Sequence, residues 1–246
     1  MTSTSETAVV VGVGPRLGAA IGRRFAGAGM SVALASRSLA NVAPLAAAIG
    51  EPARAYACDA TDEAQVDDLF AKVESELSVP AVVVYNAAAF SRKPFLETTM
   101  AEFEASWRAG CLGGFLVARA AARMMVSREV GGTLIFTGNT ASVRGGAHFH
   151  GTAAGKFGLR GLLQSISREL QPRGVHVAHV IVDGMIADDQ RRPSRGPDAF
   201  IEPEAIAETY YQIHRQPRSA WTTEMDLRTW VEPSGEISDI VRGRNG

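Results

Sequence analysis

The residues best suited to chemistry in this chain are glycines. Gly12-Val-Gly14-Pro-Arg-Leu-Gly18 follows an apolar run, Ala8 to Val11, and leads into Leu17, Ile21 and Phe25 at helical spacing. A glycine-rich turn between a strand and a helix is a place to hold phosphate. Gly12 permits the tight turn, Gly14 removes a side chain where backbone must approach a pyrophosphate, and Gly18 lets the helix pack closely. The helix N-terminus adds N–H groups and partial positive charge. Ser36-Arg37 ends the next expected strand. An acid there would hold a ribose 2′-hydroxyl, whereas an arginine accommodates a 2′-phosphate. No acid is in reach, so NADP is favoured over NAD, and Arg16 is placed to add charge at the same phosphate.

Other chemistries find little support. Cys58 and Cys111 are too few for a disulfide framework and lack metal-ligand spacing, so both are expected as reduced, packed thiols. No carboxylate pair or histidine cluster is spaced for a metal. The formal net charge of -1 among 246 residues offers nucleic acid and anionic membranes nothing to hold. The most apolar stretch, Cys111 to Val126, is interrupted by Arg119 and Arg123, so no membrane span is expected. Without a basic, then apolar, N-terminus the chain reads as cytoplasmic, with residues 1–7 a disordered arm.

Short apolar strands alternating with amphipathic helices must position these residues. Strands are expected at Ala8–Val11, Ser31–Ala35, Arg54–Cys58, Ala81–Tyr85, Thr133–Thr137 and Val175–Ile181, with an edge strand within Trp221–Leu227. Helices are expected from Leu17, at Leu39–Ile49 despite Pro44, after a cap at Thr61 or Asp62, at about 101–128, at about 152–170, and through Ile206, Tyr210 and Ile213. The alternation predicts an α/β fold: a single-domain Rossmann-type doubly wound parallel sheet with helices on both faces, spanning 1–246. Residues 188–203 lack periodicity and read as a mobile substrate-side loop, and 231–246 as a polar tail.

With these motifs in order, the sequence resembles the short-chain dehydrogenase/reductase family over nearly its whole length. The glycine turn is one landmark. Asp59, followed by Ala60, matches the family's adenine-contacting Asp; Asn86-Ala87-Ala88 resembles its Asn-Asn-Ala-Gly segment; Lys156 sits where its active-site Lys opens a long helix; Asp183-Gly184 with Ile186 resembles the segment cradling the nicotinamide. The resemblance therefore implies cofactor contacts from Gly12, Gly14, Arg16, Leu17, Gly18, Ser36, Arg37, Asp59, Ala60, Asn86, Ala87, Ala88, Lys156, Gly184 and Ile186.

The active site departs from the family pattern. The family Tyr, four residues before the Lys, falls on Thr152; the family Ser falls on Asn139; its helix Asn falls on Gly110. In the family the Tyr protonates a developing alkoxide with a pKa lowered by the Lys. A threonine hydroxyl is a far weaker acid on a shorter stem. Replacement donors are His148 or His150, since histidine can donate a proton, then Tyr210 or Tyr211, Tyr85, or a water held by Lys156 and Thr152. Asn139 is placed to hydrogen-bond a carbonyl. His176 and His179 read as structural.

The expected function is an NADP-dependent oxidoreductase for a small carbonyl or alcohol, its apolar character inferred from Phe90, Phe149 and Phe200. The alternatives are a lyase or isomerase on the same fold and an NADP-binding sensor or assembly partner without turnover. A small-molecule substrate is the expected partner, and the resemblance implies a homo-oligomer, tetramer or dimer, built on the two long helices through Ala118, Ala121, Ala122, Ala153, Gly158 and Gly161.

Overall fold

Seven short segments form one parallel sheet in the computed structural model, which describes residues 5–127, 129, 131–188 and 198–231. They are β1 (Thr7–Val11), β2 (Ser31–Ser36), β3 (Ala53–Ala57), β4 (Pro80–Tyr85), β5 (Gly132–Asn139), β6 (Val175–Val182) and β7 (Glu224–Leu227). Their spatial order is β3-β2-β1-β4-β5-β6-β7. All residues of β1 and β6 are buried. Strands covered on both faces need apolar side chains at every position, which is why they read as continuous runs. Strand order reverses between β1 and β4, and the crevice beyond their C-terminal ends is where sheets of this kind take ligands.

Helices cover both faces. α1 (Leu17–Gly27), α2 (Leu39–Ile49) and α7 (Pro203–His214) pack with one face of the sheet through Ile21, Phe25, Val42, Ile206 and Tyr210. α3 (Glu63–Glu76), α5 (Gly113–Ser127) and α6 (His150–Leu170) cover the other through Leu69, Phe70, Val117, Met125 and Leu159. Asp62, not Thr61, caps α3, accepting from the Gln65 amide at 3.2 Å. Pro44 omits one hydrogen bond of α2 from an exposed position, while buried Val42 and Ala46 hold the helix to the sheet.

The helix expected at about 101–128 is divided. α4 (Met100–Trp107) gives way to a π-helical turn, Arg108–Leu112, before α5 begins. The turn lies against α6 with backbone on backbone: a Cβ on Gly110 would sit 2.9 Å from the Gly155 Cα. By length and composition Met100–Ser127 could cross a membrane, but 56% of its apolar window is buried in this fold.

The terminal expectations are corrected in part. Of the arm 1–7, residues 1–4 lie outside the described residues, but Thr7 is buried in β1 and the Ser5 hydroxyl donates to the Gly29 carbonyl at 2.6 Å. Within 188–203, residues 189–197 lie outside the described residues, whereas Ile201 bridges to Ile186 and Pro203 opens α7. The polar tail beyond 231 also lies outside them.

Candidate functional site

A cleft of about 1180 Å³ opens at the C-terminal ends of β1, β2, β3 and β4. Gly12, Gly14, Ser36, Arg37, Asp59, Ala60, Asn86, Ala87 and Ala88 all line it, nine of the residues expected at a cofactor. Gly12 has φ +88°, and a Cβ there would lie 2.4 Å from the Ala87 amide nitrogen. Only glycine lets β1 and β4 end so close together. An added Cβ on Gly14, by contrast, meets nothing within 4 Å, so open space lies where a ligand would approach.

The polar side chains of the cleft hold its walls. Asn86 donates from Nδ2 to the Gly12 carbonyl at 3.1 Å, and its own amide donates to the Val11 carbonyl at 2.8 Å. Asp59 Oδ1 accepts from the Thr61 amide and hydroxyl at 2.9 and 2.8 Å. Arg37 is exposed and, among the described residues, makes no ion pair. Sequence reasoning missed the wall formed by Ala105, Arg108 and Ala109. Arg108 donates to the Thr61 carbonyl at 3.0 Å, a position set by the π turn that no periodicity announced.

The remaining expected cofactor residues lie outside these walls. Leu17 is buried in the core, and Gly18 packs so closely that a Cβ would sit 2.7 Å from the Val13 Cα. Arg16 pairs at 3.5 Å with Asp188. Gly184 and Ile186 follow β6, where Asp183 is buried and accepts from Thr140 and, at 3.3 and 3.1 Å, pairs with Arg144 and Arg228.

The first turns of α6 carry a second group. Lys156 is 3% exposed and donates from Nζ to the Thr137 carbonyl at 2.7 Å. Burial without a contacting carboxylate pushes its ammonium down to about 8. One turn earlier, the buried Thr152 hydroxyl accepts from the Ser91 amide at 3.2 Å and donates to the Ser91 carbonyl at 3.3 Å. Asn139 caps a turn of 3₁₀ helix (Thr140–Ser142), its Oδ1 accepting from the Ala141 amide at 3.0 Å.

The segment around Ser91 is stitched to the start of α6 at further points. The Lys93 amide donates to the His148 carbonyl at 3.0 Å, and His148 itself is exposed with φ +71°. His150 Nε2 and Thr98 Oγ1 are hydrogen-bonded at 2.8 Å, and the ring meets Phe95 edge-on. Phe90 packs on Phe149 with centroids 5.4 Å apart.

Two expectations fail here. Neither Tyr210 nor Tyr211 overhangs the cleft: Tyr210 is fully buried and shares a 2.8 Å hydrogen bond with Thr137, while the Arg24 guanidinium stacks on Tyr211. Phe200 is buried as well. A helical period shows which residues face inward but not which face of the sheet the helix covers, and α7 covers the α1 face. Tyr85 packs in the core and donates to the Ala109 carbonyl at 2.6 Å. The fourth tyrosine, Tyr56, pairs with Glu76 at 3.0 Å, so no tyrosine stands in the opening turns of α6. No group of three metal-ligating side chains occurs among the described residues.

Residues 6–195 match the family model described as short chain dehydrogenase. The chain belongs to the short-chain dehydrogenase/reductase family. A family member from Armillaria gallica is 35% identical over 186 residues, covering 72% of this chain and 71% of that protein. The crystal structure of a short-chain dehydrogenase from Rhodopseudomonas palustris has a TM-score of 0.81 and 36% identity, covering 92% of this chain and 99% of its own. A metagenomic short-chain oxidoreductase in complex with NADP has a TM-score of 0.81 at 25% identity, covering 94% and 100%. The family's fold binds a nicotinamide cofactor, and this chain's relatives are oxidoreductases.

Proposed function

We propose that this chain is an NADP-dependent oxidoreductase acting on a small carbonyl or alcohol, with Lys156 in place of a phenol as its proton source. The cleft carries this reading, because open space at Gly14 and an Arg37 without an ion pair among the described residues share it with no acid at 36–41. A 2′-phosphate would give Arg37 its counter-ion. The NADP complex of the metagenomic relative supports the same choice.

In this reading the backbone of Gly12, Gly14, Leu17 and Gly18 holds the pyrophosphate, and the Arg16 side chain adds charge at the 2′-phosphate. Asp59 and Ala60 border the adenine. Asn86, Ala87, Ala88, Gly184, Ile186 and Lys156 border the nicotinamide half. When bound, the cofactor supplies the hydride. Asn139 uses its Oδ1 on Ala141, so its amide N–H groups are available for a carbonyl oxygen. Lys156, charged at neutral pH yet near its midpoint, gives a proton to the developing alkoxide and regains it from water. Thr152 holds Ser91 and is not the acid; His148 and His150, at the mouth of the same segment, are the competing donors.

One observation favours a second reading, NADP binding without turnover. Thr152 and Ser91 satisfy each other completely at the end where a substrate would enter. Either way, we place the protein in the cytoplasm as a homo-oligomer. A groove of about 400 Å³ between α5 and α6, lined by Phe115, Ala122 and Ile166, offers an apolar face to a second copy. Gly158 and Gly161 are exposed on α6, and Ala118 lines the groove with Ala122, whereas Ala121 and Ala153 are spent on the core.

Calorimetric titration with NADPH and NADH, followed by NADPH absorbance over a panel of small ketones and aldehydes, tests the reading. Tighter binding of NADPH with carbonyl-dependent oxidation supports it; binding without oxidation of any panel member moves the weight to the second reading. No heat with either dinucleotide overturns both.

A further inference from the structure

The segment 86–100 joins β4 to α4, and none of its residues is buried. Phe90, Phe95 and Leu96 are 73, 74 and 94% exposed. Its two ends are fixed. Asn86 to Ala89 line the cleft. At the far end Thr99 caps α4, and Glu102 accepts from the Thr99 amide at 2.8 Å and from Lys93 Nζ at 2.8 and 3.0 Å. Between the ends, among the described residues, the backbone of 90–98 bonds to the rest of the fold at Ser91 and Lys93 alone. A span with few buried contacts and few hydrogen bonds opens without the rest of the fold.

The middle of the span is attached to residues 148–152, where α6 begins. The Thr152 hydroxyl takes the Ser91 amide and gives its own proton to the Ser91 carbonyl. The His148 carbonyl takes the Lys93 amide, and His148 holds φ +71°, a left-handed backbone that costs free energy in a residue with a Cβ. The Thr98 hydroxyl donates to the Pro94 carbonyl at 3.1 Å, so the proton in its bond with His150 comes from His150 Nε2. Phe90 packs on Phe149, with the Arg92 guanidinium 5.9 Å from the same ring.

These attachments close over the turn that precedes Lys156. Thr152 and Lys156 lie four residues apart on one face of α6, and both are buried. Helical side chains lean toward the N-terminus, so the Lys156 stem runs toward the level of Thr152 before Nζ reaches the Thr137 carbonyl. Neither residue lines the cleft, whose wall on this side stops at Ala89.

We propose that residues 90–98 form a strap latched over Lys156 by Thr152, and that a substrate reaches the ammonium when Thr152 releases Ser91. Thr152 is then a positioning residue. Its hydroxyl spends both donor and acceptor on one stretch of backbone, so it controls access through Ser91 and moves no proton. Lifting the strap exposes little new apolar surface, because Phe90, Phe95 and Leu96 already face solvent. Release of the Lys93 amide also frees His148 to leave its left-handed conformation.

The inference rests on the proposed role of Lys156, but its test needs neither cofactor nor turnover. Lys72, Lys93 and Lys156 are the chain's three lysines. Pulsed reductive methylation with formaldehyde and cyanoborohydride, at one mildly alkaline pH and read by mass spectrometry, gives a rate for each. Formaldehyde is itself a small carbonyl and samples the path that a substrate takes. Lys72, whose side chain is 54% exposed, calibrates the pulse, and alkylation of buried Cys58 reports global unfolding.

In the parent, Lys156 should label slowly and at a rate flat in low urea, while Cys58 labelling climbs as urea exposes the core. Thr152→Val and Thr98→Val should each speed Lys156 labelling about threefold to tenfold, the worth of one hydrogen bond. Thr152→Ser keeps the hydroxyl and should match the parent. Lys156 labelling unchanged in both valine variants, or climbing with urea in step with Cys58, overturns the proposal, as does a serine variant as fast as the valine. A merely structural Thr152 would expose Lys156 by the urea-dependent route alone. Failure of the parent to bind either dinucleotide would remove the proposed function while leaving the strap readable.

Discussion

Replacing Lys156 by Met should make the protein more stable and less functional. The ammonium is 3% exposed, and its drop from 10.5 to about 8 corresponds to a cost of about 3 kcal/mol for carrying the charge inside the fold. Met keeps the length and bulk of the side chain and removes the charge. It also takes the donor from the Thr137 carbonyl, at about 1 kcal/mol. The net gain near pH 7 is about 2 kcal/mol, or about 4–8 °C in midpoint for a chain of this size. The gain has a characteristic pH dependence. A lysine whose folded pKa is lowered binds more protons unfolded than folded between about 8 and 10.5, so the parent gains stability across that window. Buried thiols such as Cys58, pushed up to about 11, oppose this in both proteins and cancel in the difference. Thermal unfolding of parent and variant at matched pH values should therefore show the variant ahead at pH 7 and the gap closing by about pH 10.5. A variant less stable at pH 7, or a gap that does not narrow, would refute the account of Lys156 as an uncompensated buried cation.

Thr152→Val keeps the shape and deletes the hydroxyl. It should lower stability by about 1–2 kcal/mol and speed amide exchange at Ser91, leaving dinucleotide affinity unchanged; lost turnover with unchanged stability and exchange would make the hydroxyl chemical instead. Arg37→Ala should weaken NADPH about tenfold or more and spare NADH, read by calorimetry; equal losses would remove Arg37 from the 2′-phosphate. Gly12→Ala places a methyl 2.4 Å from the Ala87 nitrogen at φ +88°, so dinucleotide binding should disappear and the unfolding midpoint should fall.

The sheet and the glycine turn after its first strand were legible because their causes are local. Buried parallel strands show as unbroken runs such as Ala8 to Val11, and Asp62 announces α3 within three residues of the amide it caps. What was not legible depends on distant partners. The π turn at Arg108–Leu112 accompanies a contact between Gly110 and Gly155, and Thr152 finds its partner at Ser91, both far apart in sequence. Strand parity placed His176 and His179 on opposite faces and read them as structural, but it gave no hint that Glu224, on the edge strand, would meet one of them. Nor does the spacing of Tyr210 on α7 reveal that its hydroxyl ends on Thr137.

The meeting of Gly110 with Gly155 also constrains what either position can carry. Each glycine denies the other a side chain: an added Cβ at 155 lies 2.9 Å from the Ser106 carbonyl and 3.1 Å from the Gly110 Cα. An asparagine placed at position 110 would first have to lift α4 and the turn after it away from α6. That costs packing before it gains any hydrogen bond, so a side chain at either position lowers stability unless the helix spacing widens with it.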